Sequence, residues 1–323
     1  MSANASAVAA TRAFGWSMLA VLAVYLIDNV LTVGLDWPGS SQALAGAGGA
    51  AAWGQLALYA LAVVGAVMFV WTTPARSLRH DAERISAFNA YLIRACFWAV
   101  LLVGVADATI AFMRVENLLA GLVGQEAAHA LGRARDVSLN VHMPLIAASF
   151  VVALFTRTLG FVWLALLIVA AELLIVVSRF VFSYEQALMG DLVRYWYAGL
   201  FLFASAYTLI EEGHVRVDVL YAGMSARTKG IVNAAGSVVL GMTTCWVVLA
   251  IGFGGKQSII NSPVANFEVS QTGNVGMFIK YQMAIFLGVF GVTMLIQFVS
   301  FLFQAVADIR NEPGHVDHVP ATH

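Results

Sequence analysis

The sequence predicts an all-α fold, a polytopic transmembrane helical bundle of about eight helices, and two observations support it. Of the 323 residues, 61% are hydrophobic and only 11% are charged, whereas soluble domains carry roughly 25% charged residues. Apolar runs of about 18 residues or more, long enough to cross ~30 Å of hydrocarbon as a helix, recur along the chain. So few charges cannot cover the surface of a soluble fold of this length.

The helices are placed from the apolar runs and from the polar segments that separate them. They are predicted at about 15–35, 52–72, 92–113, 142–156, 160–180, 194–211, 229–253 and 281–306. The fourth is the weakest, because its apolar part, LIAASFVVALFT, has only about a dozen residues. Seven helices are therefore an alternative to eight.

The distribution of positive charge favours eight spans with both termini in the cytoplasm. That topology places ten of the 17 Lys and Arg residues on the cytoplasmic side, whereas seven spans leave eight inside and nine outside. Lys and Arg are enriched in cytoplasmic loops of membrane proteins. The N-terminal segment MSANASAVAATRAFGW continues into a full span without a cleavage site, which predicts that the first helix is retained.

Several classes of function are disfavoured by composition and motifs. The net charge of −1 gives no basic patch for nucleic acid. Cys96 and Cys245 lie inside apolar runs and are expected to be buried hydrophobes. Motifs such as HExxH and the Walker loop are absent from the sequence, histidines are predicted only in loops, at helix ends or in the tail, and all six prolines in loops or at helix edges. We expect no catalytic residue, metal or cofactor in this chain.

Three carboxylates lie deep in the predicted spans: Asp28, Asp107 and Glu172. Ionisable residues are costly in a membrane and are candidates for function. Arg114 and Arg179 each follow a carboxylate by seven residues, about 10 Å along a helix axis, which is too far for a direct bond. Two interpretations stay open: hydrogen bonds between helices, or an ion path.

Two stripes with helical spacing predict close packing between helices. The seventh predicted helix carries small residues and the eighth carries polar residues, which lets another backbone approach or bonds to it. The stripes are Gly230, Ala234, Ser237 and Gly241, and Thr293, Gln297, Ser300 and Gln304. They predict helix packing within the chain or an interface with a partner.

Two segments of the C-terminal half carry a resemblance to a known family. The fifth predicted helix ends in IVVSRFVFSYEQAL, with Arg179 and Phe180 at its exit, and the sixth is followed by EEGHVRVDVLYAG. Together with the two helices that follow, residues 160–308 resemble the small membrane subunit, of DctQ type, of tripartite ATP-independent periplasmic (TRAP) transporters. The residues of the second segment that match the family's cytoplasmic loop are Glu212, Gly213, His214, Arg216 and Asp218.

The resemblance divides the chain into three parts. Residues 1–141 are predicted to be additional N-terminal transmembrane helices with an amphipathic connector. Residues 142–308 form a DctQ-like membrane core with a preceding short helix, and residues 309–323 form a polar cytoplasmic tail. The N-terminal part indicates an enlarged variant of the small subunit.

The resemblance implies an accessory role. The family picture is a sodium-driven importer of organic acids or similar solutes in the bacterial inner membrane. Its partners are a large membrane subunit, which holds substrate and sodium, a periplasmic solute-binding protein and phospholipids. The alternatives are an autonomous transporter or channel that uses the three carboxylates, and an intramembrane redox enzyme.

Overall fold

The computed structural model describes residues 3–157, 160–211, 221, 223–270 and 273–314. Within these ranges the chain is helical and forms no β-strand, which confirms the predicted all-α bundle. The long helices are α1 (Ala3–Gly34), α2 (Gly49–Thr72), α3 (Leu78–Val115), α4 (Ala134–Phe155), α5 (Phe161–Phe182), α6 (Ala187–Glu211), α7 (Ala226–Gly252) and α8 (Lys280–Ile309).

Seven of the described helices are long and apolar enough to cross a membrane, and α6 is the long helix outside this set. Its 25 residues begin with a polar stretch that includes Asp191 and Arg194. The fourth predicted helix, expected to be the weakest, belongs to this set, because α4 has 22 residues and a mean hydropathy of 1.8. It begins about eight residues before the predicted start, and this extension gives it the length of a span.

Helix α4 contains a wide, π-helical turn over Ser138–His142. Pro144 follows this turn directly, so the prediction that every proline lies in a loop or at a helix edge was wrong. Proline lacks the N–H for the α-helical bond to residue 140, and its ring clashes with that carbonyl. A wider turn before the proline relieves the clash. The same turn places His142 inside the helix, where its side chain is fully buried.

Helix α3 has 38 residues and is therefore about 57 Å long, against ~30 Å of hydrocarbon. The basic segment TPARSLRHDAERISA lies before the predicted start of the third helix at residue 92, and from Leu78 onward it is continuous with the span. Asp81 in the first turn and Arg114 in the last have the charges that the helix dipole favours at those ends.

The connections contain short helices. The predicted amphipathic connector after α3 forms Leu119–Val123 and Gln125–Leu131. From Ala187 onward the segment YEQALMGDLVRYW forms the first turns of α6, which was predicted to begin at residue 194. Asn261–Ala265 and a single 3₁₀ turn lie between α7 and α8.

The chain forms two compact units. The first comprises Met1–Asn89, Thr208–Ser258 and Met294–His323, and the second comprises Ala90–Tyr207 and Ile259–Thr293. Each unit combines segments that are distant in sequence. The division into residues 1–141, 142–308 and 309–323 stays a prediction.

In the first unit, α1 packs along α2. Gly15 of α1 lies against the ring of Phe303 in α8, where an added Cβ would overlap the ring. In the second unit, Gly104 of α3 lies in the same way against the indole nitrogen of Trp196, and Tyr195 and Phe203 of α6 contact the ring of Phe286. Small residues let these helices approach closely.

Candidate functional site

The predicted family loop, Glu212, Gly213, His214, Arg216 and Asp218, lies outside the described residues. Its assignment to a cytoplasmic loop therefore stays a prediction. At the exit of α5, the Arg179 guanidinium is 61% exposed and its Nε lies 3.6 Å from a carboxylate oxygen of Glu185. Phe180 is 79% exposed. Both residues are available on the surface of this chain.

Asp28 is held by hydrogen bonds at the loop end of the α1–α2 pair. Its carboxylate accepts from the Ser40 hydroxyl at 2.6 Å, from the Gln55 amide at 2.5 Å and from the Tyr59 hydroxyl at 3.1 Å. The Gln55 oxygen in turn accepts from the Gly39 backbone N–H at 3.0 Å. Asp28 is 8% exposed, and its contacts join α1, α2 and the connection between them.

Asp107 is fully buried in the second unit, and its carboxylate contacts the segment that precedes α8. One carboxylate oxygen accepts the Phe278 backbone N–H at 2.6 Å. The other lies 3.5 Å from Nε2 of His142, also fully buried. On the other side of the imidazole, Nδ1 lies 3.0 Å from the Tyr281 hydroxyl. Asp107, His142 and Tyr281 thus link α3, α4 and α8.

The polar chain continues from Tyr281 into α6. The Gln282 amide donates to the Tyr281 hydroxyl at 3.0 Å, and the hydroxyl of Tyr195 donates to the Gln282 oxygen. Asp191, one turn before Tyr195, accepts from the Met277 backbone N–H at 3.1 Å. Two buried carboxylates from different helices therefore cap consecutive N–H groups in the segment before α8.

Arg114 donates hydrogen bonds to backbone carbonyl groups of the same segment. Its guanidinium donates to Asn274 O at 2.8 Å and to Gly276 O at 2.6 Å, and it lies 4.1 Å above the centre of the Phe278 ring. A third bond reaches the carbonyl of Leu131 at 3.3 Å. Asp107 and Arg114 thus fix the N–H and C=O groups of one segment, and they do not bond to each other.

Glu172 has a different environment from the other two carboxylates. It is exposed on α5, and it has no hydrogen bond or ion pair among the described residues. The helix contacts its unit through a narrow line of buried residues, Phe161, Leu164, Ile168 and Ser178. The structure does not bring Glu172 together with Asp107 through any described contact.

The two predicted stripes pack against residues of this chain. Gly230 lies against Ile309 and the carbonyl of Ala305, and Gly241 lies against the ring of Phe298. Ser237 is buried and Ala234 is half-buried on the same side of α7. The small-residue stripe thus lets α7 pack closely against α8 within the first unit.

Two of the four residues in the polar stripe of α8 bond to α3. Gln297 exchanges hydrogen bonds with Asn89 at 3.2 Å and Ser86 at 3.1 Å, and the Ser300 hydroxyl donates to the carbonyl of Ala82 at 2.9 Å. The hydroxyl of Thr293 bonds to the backbone of its own helix, and Gln304 is half-buried.

A buried ion pair was missed by sequence reasoning. Arg12 and Asp81 are 1% and 0% exposed and bond at 2.8 Å, and Asp81 also accepts from the Trp16 indole at 2.9 Å. Arg12 further donates to the carbonyl and hydroxyl of Thr73 at 2.7 and 2.9 Å. Arg12 was assigned to a tail before the first span, but α1 begins earlier and includes it.

His142 is a second correction. It was predicted at a helix end, and the early start of α4 places it inside the helix beside Asp107. No local motif marks either contact, because 69 residues separate Arg12 from Asp81 and the partners of His142 come from other helices. A polar residue close to an apolar run is the one signal that the sequence offers.

A family model matches the C-terminal part of the chain. Residues 166–308 match the model of the DctQ component of tripartite ATP-independent periplasmic transporters. The chain carries a DctQ region. This region extends from within α5 to the last turn of α8, so it contains Glu172, the small-residue stripe and the polar stripe, while Asp28 and Asp107 precede it. Searches of curated proteins and of solved structures gave no significant match.

The DctQ match indicates the class of protein to which this region is similar. The family is a component of transporters and not a known enzyme family, and it works with a large membrane subunit and a solute-binding protein. Together with seven helices that can span a membrane, the match makes this chain a multi-pass membrane protein with a long extension before its DctQ region.

Proposed function

We propose that this chain is the accessory membrane subunit of a TRAP importer. It braces the large subunit, and that subunit binds the organic acid or similar solute and the sodium ions that drive uptake. The observation that carries the proposal is the DctQ match over residues 166–308. The bacterial inner membrane is the location that the proposal requires. Both termini lie in the cytoplasm, as the charge distribution favours, if α6 crosses the membrane together with the seven other long helices.

The arrangement of polar groups supports a bracing role. Buried polar side chains join α1 to α3 through Arg12 and Asp81, α3 to α8 through Asn89 and Gln297, and α4 to α8 through His142 and Tyr281. Such bonds fix helices against each other in a membrane. A brace needs fixed helices, whereas a transporter that carries its own substrate usually has helices broken at the membrane midplane.

The test is reconstitution with the large subunit. The tagged chain is purified from native membranes in mild detergent, and stoichiometric partners are identified by mass spectrometry. We expect one partner with more spans than this chain. In proteoliposomes, solute uptake driven by a sodium gradient should require both chains and the solute-binding protein.

Flux through this chain alone would overturn the proposal. If neutralising Asp28, Asp107 or Glu172 abolished that flux, the autonomous transporter would be correct. Within the proposal, His214→Ala and Arg216→Ala test the loop that resembles the family's motif. Full uptake and native complex yield in both variants would count against docking through that loop.

A further inference from the structure

The outer surface of α5 is apolar over most of the helix circumference. Apart from the narrow buried line that faces its unit, most of its large side chains are more than half exposed. Examples are Val162 at 80%, Trp163 at 69%, Val169 at 63% and Leu173 at 61%. Such a surface fits lipid or another apolar helix equally well.

Glu172 distinguishes one side of this surface. It lies eleven residues after Phe161 and ten before Phe182, so it is about 16 Å from either end and near the middle of a bilayer. Polar groups in the hydrocarbon are expected to face protein or water and to have partners. Arg179 is one candidate within α5, but it lies about 10 Å along the axis and pairs with Glu185.

Apolar side chains surround the carboxyl group at helical spacing. Val169 and Val176, at positions i−3 and i+4, are 63% and 49% exposed, and Phe180, at i+8, is 79% exposed. Residues at these spacings share one face of a helix. We name this set the Glu172 face: Glu172, Val169, Val176 and Phe180.

We propose that the Glu172 face is the docking site for a transmembrane helix of the large subunit. That helix carries a hydrogen-bond donor at mid-depth, which pairs with Glu172 while its apolar side chains cover the valines and Phe180. The inference rests on the proposed function for the identity of the partner. The choice of a protein occupant over lipid rests on the carboxyl group, since acyl chains offer it no hydrogen bond.

The experiment measures the affinity of the purified chain for the large subunit in detergent, by fluorescence titration. Glu172→Leu keeps the apolar surface and removes the hydrogen bond. Because one hydrogen bond between membrane helices contributes modestly, we expect affinity to fall by about three- to thirtyfold. Glu172→Gln keeps a polar amide at the same place, so it should recover much of the affinity where the partner's donor is neutral.

Two tryptophan variants control for general effects on α5. Val176→Trp adds bulk on the Glu172 face and should also weaken the complex. Leu174 is comparably exposed, at 57%, but lies about 160° around the helix from Glu172. Leu174→Trp should therefore leave the affinity within about twofold of the wild type.

The outcomes separate this inference from the proposed function. If the wild-type chain binds no large subunit, the proposed function fails. If the wild type binds and all four variants bind equally well, the function stands and the docking site is wrong. Equal loss in Glu172→Leu and Glu172→Gln supports the site and specifies a cationic donor.

A second copy of this chain is the competing occupant. A Glu172→Cys variant, oxidised in membranes that hold both subunits, should form a disulfide with a cysteine placed in the large subunit. Crosslinking of two copies through position 172 in the presence of the large subunit would overturn the proposal. The native cysteines Cys96 and Cys245 are half-buried and buried respectively. Oxidation of the wild-type chain under the same conditions measures the crosslinking that these two cysteines contribute.

Discussion

Helices α3 and α5 each carry a carboxylate followed seven residues later by an arginine, and the two pairs have opposite environments. Asp107 is fully buried and accepts the Phe278 N–H, and Arg114 binds carbonyl groups of the same segment. Glu172 is exposed, and Arg179 forms an exposed pair with Glu185. The same spacing therefore gives two residues that bind one backbone segment in α3, and two exposed polar residues in α5.

The difference comes from the neighbours of each helix. Polar groups from α4, from α8 and from the segment before α8 meet around Asp107: one carboxylate oxygen accepts the Phe278 N–H, and the other lies 3.5 Å from Nε2 of His142. Helix α5 meets its unit along one narrow line and leaves Glu172 outside it. An ionisable residue in a span is thus structural where the fold surrounds it, and a candidate for partner binding where the fold does not.

The largest expected effect is a difference in stability between variants of the two carboxylates, Asp107 and Glu172. Asp107→Ala leaves the buried Phe278 N–H without its acceptor and removes the carboxylate beside His142, so we expect the free energy of unfolding to fall by about 2 to 4 kcal/mol. Glu172→Ala in the isolated chain should change it by less than about 0.5 kcal/mol. Thermal unfolding of both variants in the same detergent measures the contrast, and equal destabilisation would remove it.

The second test uses the two arginines. Arg114→Leu removes three bonds to carbonyl groups and a contact with the Phe278 ring, and we expect a loss of about 2 to 3 kcal/mol. Arg179→Leu breaks one exposed ion pair, which contributes about 0 to 1 kcal/mol. Urea unfolding of the two matched variants checks this order, and a larger effect at Arg179 would contradict it.

The smallest effect concerns the exposed end of α5. The Tyr184 hydroxyl donates to the Glu116 carboxylate at 2.5 Å. This hydrogen bond, with a smaller contribution from desolvation, raises the pKa of Tyr184 above its ordinary value. The stability that this bond contributes is therefore complete just below pH 10, the ordinary tyrosine value, and is lost as the pH rises through the shifted pKa.

A difference titration tests that shift. The absorbance of phenolate is compared between the wild type and Tyr184→Phe, and the missing component should titrate above pH 10. In Glu116→Gln the same component should move back toward the ordinary value, because the charged acceptor is gone. An unshifted component in the wild type would show that this bond does not form in solution.

The helices themselves were largely predictable. A span needs a long apolar run, and all eight predicted runs became long helices. Their ends moved by up to about three residues or, at the starts of α1, α3, α4 and α6, by seven or more. The early starts of α1, α3 and α4 could not be predicted, because these extensions contain the polar residues Arg12, Asp81 and His142. Each polar residue taken alone favours a loop over a membrane span. Inside the fold, Arg12 and Asp81 pair with each other, and His142 forms a hydrogen bond with the Tyr281 hydroxyl.

The stripes show where sequence reasoning is reliable for contacts. Small residues such as Gly230 and Gly241 marked a close approach, and the structure identifies α8 as the helix that approaches. Whether the approaching helix belongs to the same chain could not be deduced, because spacing describes one helix surface and not its neighbour. The same limit applied to Gln297 and Ser300, which contact α3.

The sequence by itself determined a multi-pass helical membrane protein and a DctQ region, because apolar length and a family pattern are properties of one continuous segment. Only the tertiary structure decided which polar residues are paired. Asp28 and Asp107 meet donors from other segments, while Glu172 meets none in the described chain. The physical reason is that pairing depends on which helices are neighbours, and helix neighbours are fixed by packing over the whole fold.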